Sequence, residues 1–250
     1  MARLRLIQER TPGRPDLGTA VSHAILLRAA SGVGPATFRL HRAEPVVAFG
    51  RQDAHSPGFT RAVDAARQLG FAPVLRLAGG RAAVFHEETL AFAHATPDAQ
   101  PRTGTRRRFE ESGDLMVAAL RRLGVDARVG EVPGEYCPGA YSVNARGAVK
   151  LIGVGQRLIA GAAHTGGVIV AGGEDRIREV LIPVYEALRL DWDPATCGSV
   201  AGEVPGVTPD AVAAAIAAEL RERFEVIDAS LDETTFELAD SLASEHTLTL

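Results

Sequence analysis

The 250-residue chain carries 27 Lys plus Arg against 31 Asp plus Glu, a net charge of −4, and 46% apolar residues. That is enough to bury one substantial core or two small ones, and it has the wrong sign for a protein that lives on phosphate backbones or anionic membrane. Met1 to Asp16 holds no apolar run of signal-peptide length, and no stretch of about 18 uncharged apolar residues occurs, so the expectation is a cytoplasmic protein with neither a membrane nor a nucleic-acid partner.

The first elements mix strands and helices. Residues 4–7 read as a short strand and 17–30 as a helix with Val21, Ala24, Ile25 and Leu27 on one side. Apolar runs follow at 36–40, 46–49 and 72–77, with a helix over 61–69 between the last two. After a strand at 90–95 and a polar loop at 97–105, Phe109, Met116, Leu120 and Leu123 predict a long amphipathic helix over 106–123. Arg106, Arg107 and Arg108 at its start oppose the helix dipole; such a run is either a solvated face or a dock for an acidic partner. From 141 the pattern turns to hairpins, with β-like runs at 141–143, 149–152, 154–159 and 166–171 separated by Asn144-Ala-Arg-Gly147 and by Gly153. Residues 175–188 are helical apart from an expected break at Pro183. Thr208 and Pro209 then open a helix in which Val212, Ile216, Leu220 and Phe224 recur every four residues. The chain reads as one α+β domain over 1–250, with closing helices within 175–243 packed on it.

One count stands out: 26 of the basic residues are arginine and a single one, Lys150, is lysine. Arginine keeps its charge at any accessible pH, whereas the pKa of an amine can be moved, so a site that needs an amine cannot drift to arginine. The alternative is a surface lysine surviving by chance. Between two predicted strands lies Arg76-Leu-Ala-Gly-Gly-Arg-Ala-Ala-Val-Phe-His86. Gly79 and Gly80 let the backbone turn with positive φ or approach a ligand, though a tight strand connection needs the same residues. The order is neither that of a dinucleotide fold nor that of a P-loop. His86 is either a substrate contact or a satisfied structural group, and with Glu87 and Glu88 it lacks the second histidine of a metal motif, so no metal site is predicted.

The two cysteines are too few for a secreted disulfide scaffold and lack the paired spacing of a zinc site. Cys137 lies in Pro133-Gly-Glu-Tyr-Cys-Pro-Gly-Ala-Tyr141, and Cys197 in Pro194-Ala-Thr-Cys-Gly-Ser-Val200. Each thiol is an attacking group where a nearby cation favours its thiolate, or else small apolar filler.

In combination these segments resemble the biotin/lipoate A/B protein ligase family, and within it the cysteine-dependent octanoyltransferases and lipoate-protein ligase A-like proteins. Arg76 to His86 is similar to the family's Arg-Arg-x-x-Gly-Gly-(Gly or Arg)-x-Val-x-His signature, with a single leading Arg and one residue more before the His. Val149 to Arg157 is similar to Lys-x-x-Gly-x-(Ala)-x-Arg, and His164-Thr-Gly166 to a His-Gly-(Ser/Thr) turn with one residue inserted. Val46 to Gly50 matches the strand before the first signature, so the resemblance spans about 36–172. It implies a biotin/lipoyl protein ligase-type catalytic domain, a mixed β-sheet flanked by helices. Gly79-Gly80-Arg81 and Cys137-Pro-Gly-Ala-Tyr141 look like the class whose cysteine precedes the lysine hairpin. Cys197-Gly198 resembles a second class and is the second-choice nucleophile.

That resemblance implies a ping-pong acyl transfer. Cys137 takes an octanoyl or lipoyl group from a thioester donor, an acyl carrier protein or lipoyl-domain carrier, while Lys150 holds the carbonyl and activates the nucleophiles. Arg76, Gly79, Gly80, Arg81, His86, Gly153, Gln156 and His164 are the implied substrate contacts. The acceptor is a lysine of a lipoyl domain, in a glycine cleavage H protein or a 2-oxoacid dehydrogenase subunit. This route needs no cofactor. The alternatives are a ligase that forms acyl-AMP from ATP with Mg, and a non-catalytic relative that holds an acyl group or a lipoyl domain.

Overall fold

A computed structural model describes residues 1–248 of the protein. In chain order its first half runs β1 (Arg3–Ile7), α1 (Pro15–Ala30), β2 (Ala36–Arg42), β3 (Val46–Phe49), α2 (Phe59–Gln68), β4 (Ala72–Leu75), β5 (Ala83–Phe85), β6 (Thr89–Pro97) and α3 (Thr105–Arg122). The second half runs β7 (Ala127–Val129), β8 (Val143–Ala145), β9 (Val149–Ile159), β10 (Ala162–Val170), α4 (Glu174–Leu188), the single turn α5 (Val200–Glu203), α6 (Pro209–Arg223), β11 (Glu225–Ala229) and α7 (Glu233–His246).

Eight strands form a mixed sheet in the order β11-β1-β2-β6-β10-β9-β8-β7, and β4-β3-β5 form a smaller one. β1 runs parallel to both its neighbours, whereas every pairing from β2 to β7 is antiparallel. Because side chains alternate across a strand, Leu4, Leu6, Phe38, Leu40, Leu90 and Phe92 fall on one face, under α3 and α6. Ile7 and Ala95 fall on the other face, under α1 and α7. A third core joins the small sheet to α2 and α4 and contains Tyr136, Tyr185 and Cys197. Of the closing helices, α6 packs on α3 and the large sheet, α7 on α1, and α4 on α2 and β5.

Three local expectations give way to tertiary packing. β9 runs unbroken through Gly153, because Gly153 opposes Val168 in a continuous β9–β10 ladder and its carbonyl oxygen would stand 1.8 Å from a Cβ placed on Gly167. The glycines let two backbones approach rather than turn the chain. The strand expected over 141–143 begins at Val143, where pairing with Ile152 starts. Pro183 does not break α4, whose second half buries Val184, Tyr185 and Leu188 in the third core; that burial outweighs a cost of about 3 kcal/mol for an interior proline. Among the described residues no helix is long and apolar enough to cross a membrane.

Candidate active site

The glycine turn after β4 and the loop between β7 and β8 meet at a sulfur atom. Cys137 Sγ accepts the Arg81 main-chain N–H at 3.1 Å and lies 3.6 Å from Arg76 Nη1. Arg76 Nη1 also donates to the Arg81 carbonyl at 2.8 Å, closing the turn on itself. Gly80 has φ +120°, and a Cβ there would stand 2.7 Å from Arg76 Nη1 and 2.9 Å from Cys137 Sγ. Both the backbone conformation and the approach of the thiol therefore require glycine. Gly79 has no such requirement, since a Cβ there would meet nothing within 4 Å, but its carbonyl lies 3.0 Å from where Gly155 would carry a Cβ, so the turn presses on β9 at a glycine. The Arg81 side chain pairs with the buried Asp53 at 3.3 Å; burial pushes that carboxyl up, against the pull of the Gly50 N–H and Arg81.

The loop that brings the thiol here is held from below by Lys150. Its Nζ donates to Glu135 Oε1 at 2.9 Å, the Tyr136 carbonyl at 2.9 Å and the Cys137 carbonyl at 2.8 Å, and it lies 4.9 Å from the centre of the Tyr136 ring. An ammonium has three donors, and all three are directed at the loop. Glu135 in turn accepts the Val132 N–H, the Gly139 N–H and the Ser142 hydroxyl, at 3.0, 3.1 and 2.6 Å. Both partners of this ion pair are almost fully buried, at 1% and 2% exposure. Cys137 itself has φ +44°, a conformation uncommon outside glycine. Gly153 leaves room for the lysine stem, with Lys150 Cε 3.4 Å from where its Cβ would be.

The second thiol has a different setting. Cys197 is fully buried, and burial pushes it up to about 12. Its main chain pairs with that of Lys150 through a parallel bridge, while its sulfur is 4.0 Å from the Glu174 carbonyl.

Arg76 separates the Cys137 thiol from a cleft of about 770 Å³, counted with its open mouth. Gly18 and Ser22 of α1, His41 of β2, Phe85, Arg76 and His164 contribute to its walls. Burial pushes the His164 imidazole down to about 3, so it is neutral, and its Nδ1 has no hydrogen-bond partner among the described residues.

Two predicted contacts stand elsewhere. His86 is completely buried, accepts the Glu88 N–H at 3.2 Å on Nδ1, and packs against Gly173 at the head of α4. Gln156 ties the start of α3 to β9: its Nε2 donates to the Thr105 carbonyl at 2.9 Å and its Oε1 accepts from Arg108 at 3.2 Å. The arginine run divides accordingly. Arg106 and Arg107 lie exposed beside Glu110 and Glu111, and Arg108 is buried against Asp98 and the Pro101 carbonyl. Two residues of the site have no counterpart among the expected contacts. Glu135 was findable, since a lone lysine that becomes buried needs a counter-charge and this acid lies in the cysteine loop. Tyr185, whose hydroxyl meets the Cys137 N–H at 2.9 Å, gives no local signal. Among the described residues no cluster of three or more His, Cys, Asp or Glu is placed to hold a metal ion.

The lipoyl protein ligase A/B catalytic domain matches residues 15–220. The chain belongs to this family. Its α+β fold of mixed sheet and flanking helices is that of the lipoyl protein ligase A/B catalytic domain: lipoate-protein ligase A in its ATP-bound crystal structure superposes with a TM-score of 0.77 at 19% identity, over 97% of this chain and 95% of that one. The bipartite lipoate protein ligase of Thermoplasma acidophilum gives 0.73 at 20% identity, over 98% and 93%. Among curated relatives, an octanoyl-GcvH:protein N-octanoyltransferase of Geobacillus kaustophilus is 28% identical over 163 residues, 65% of this chain and 57% of the relative. The same enzyme of Exiguobacterium sibiricum is 29% identical over 151 residues, 59% and 53%. The matched region thus spans a little over half the length of these curated relatives.

Proposed function

We propose that this member of the family is an octanoyltransferase in protein lipoylation, with Cys137 carrying the acyl group between two lysines. The observation that supports it most is the setting of the Cys137 sulfur, partly exposed, facing a main-chain N–H and an arginine that also lines a largely apolar cleft. The names of the curated relatives favour octanoyl-GcvH as the donor over an acyl carrier protein thioester, and the acceptor is a lysine of a lipoyl domain.

On this reading the donor bond is an amide. The sulfur attacks the carbonyl, an S–C bond forms, the C–N bond breaks, and the thiol proton leaves on the lysine amine. The acceptor lysine reverses these steps, returning a proton to sulfur. Amide is exchanged for amide, so the cycle is near balance and draws nothing from ATP. The Arg81 N–H and the Arg76 guanidinium are the donors closest to where negative charge develops. Lys150 fixes the loop that carries the thiol, through the carbonyls of Tyr136 and Cys137. His164 and His41 line the cleft as neutral groups, compatible with an apolar chain.

The test is intact-mass analysis of the purified protein mixed with octanoyl-GcvH, without nucleotide, followed by addition of a lipoyl domain. A covalent octanoyl adduct that disappears as the domain gains the group is the expected result. Transfer that requires ATP would make the protein a ligase, binding with no adduct would make it a non-catalytic carrier, and an adduct formed from octanoyl carrier protein alone would restore the thioester donor.

A further inference from the structure

We infer that Tyr185 is a positioning residue that fixes the Cys137 thiol against the glycine turn; this rests on reading Cys137 as the acyl carrier. The Tyr185 hydroxyl accepts the Cys137 N–H at 2.9 Å and donates to the Ala82 carbonyl at 3.0 Å. Ala82 directly follows Arg81, whose own N–H meets the sulfur. One oxygen atom therefore ties the loop that carries the thiol to the turn that faces it, across 48 and 103 residues of sequence.

The left-handed conformation of Cys137 explains why such a tie is required. A side-chain-bearing residue keeps φ +44° where its surroundings over-determine it. Here Tyr185 takes its N–H and Lys150 its carbonyl, so both ends of the residue are held. The phenol is 2% exposed on α4, and its ring packs 5.6 Å from that of Trp192, which stands edge-on to Tyr136 at 5.8 Å. Burial keeps it well above its ordinary titration range, so it remains a donor at working pH. With one hydrogen bond donated and one accepted, the hydroxyl is committed to backbone and touches no reacting atom. Taking the Cys137 N–H also leaves the Arg81 N–H as the main-chain donor at the sulfur. Loss of the tie frees the thiol to drift, and misplacement of a reacting group by about 1 Å costs ~10²-fold in rate.

The experiment compares the full chain with Tyr185→Phe, which keeps the ring and removes one oxygen. Three quantities are read: the pH profile of iodoacetamide alkylation at Cys137, kcat and KM for octanoyl transfer, and the melting temperature. The expected result is a kcat lower by ~10- to 100-fold, a KM within about twofold, an altered alkylation profile, and melting a few degrees lower. Profiles and kcat that superimpose on the wild type overturn the inference, and a lowered melting temperature alone assigns Tyr185 to structure. Should the variant fail to fold, hydrogen exchange of the wild type decides: a protected Cys137 amide supports the tie, and free exchange overturns it. Failure of the transferase reading is visible separately, as a wild-type protein that transfers nothing or a Cys137→Ser variant that still transfers, while the alkylation profile continues to report on Tyr185.

Discussion

Cys137 and Cys197 stand on two sides of the same lysine and have opposite surroundings. Cys137 meets the side chain of Lys150 through its carbonyl, and Cys197 meets the lysine's main chain through a strand-like bridge, the Gly198 N–H donating to the Lys150 carbonyl at 3.1 Å. Proximity to the one amine is therefore not what separates them. Cys197 is sealed in the third core, fully buried, where desolvation raises the thiol to about 12. Cys137 keeps a solvent path and two donors on its sulfur. A thiol becomes reactive where an ionised sulfur is hydrogen-bonded and reachable, and a cation nearby in sequence supplies neither condition by itself.

The sharpest way to break that contrast is to exchange the residues. Cys137→Ser is expected to abolish both the octanoyl adduct and transfer, while Cys197→Ala keeps them; mass spectrometry and a lipoyl-domain acceptor assay read both, and the reverse pattern would move the chemistry to Cys197. Next in size is Lys150→Arg. The wider guanidinium must enter a space in which the amine is 1% exposed and fully hydrogen-bonded, so the cysteine loop shifts and transfer falls by ~10²–10³-fold. Near-normal turnover with an unchanged melting curve would mean that arginine serves there equally well.

Gly80→Val tests the other wall of the contrast. Its β-carbon collides with the Cys137 sulfur and Arg76, so transfer falls ~10²-fold while the fold survives, as circular dichroism would record. A variant that works normally would make the turn a mere strand connection. The smallest effect is on stability. A thiol raised from 9.0 to about 12 by folding stays protonated where the unfolded chain has lost its proton, so its contribution is complete below pH 9 and declines as pH rises toward 12. The slope is at most about 1.4 kcal/mol per pH unit. Urea titrations at pH 8 and pH 10 should therefore show a smaller decline for Cys197→Ala than for the wild type, and equal declines would contradict the buried-thiol description.

Much of the candidate site could be read locally because the segments that build it are contiguous. The glycine turn, the proline- and glycine-rich cysteine loop and the strand with the lone lysine are each contiguous, and each shows an unusual residue where backbone or charge demands one. Composition alone singled out Lys150, and the alternation of apolar residues fixed most strands and the long helices. His86 and Gln156 belong to the same signatures and look equivalent on paper, yet one is walled in beside Gly173 and the other anchors α3.

What tertiary structure alone decided was pairing over distance and exclusion of water. Tyr185 reaches Cys137 and Ala82 because α4 packs beside the small sheet, and no spacing within α4 records that neighbour. The short edge strands β7 and β11 exist through pairing with β8 and β1, since three to five residues of ordinary β propensity are not enough to specify a strand. Residue type and local order say which groups are able to react; which of two cysteines keeps water and donors at its sulfur depends on packing between segments far apart in the chain, where desolvation acts.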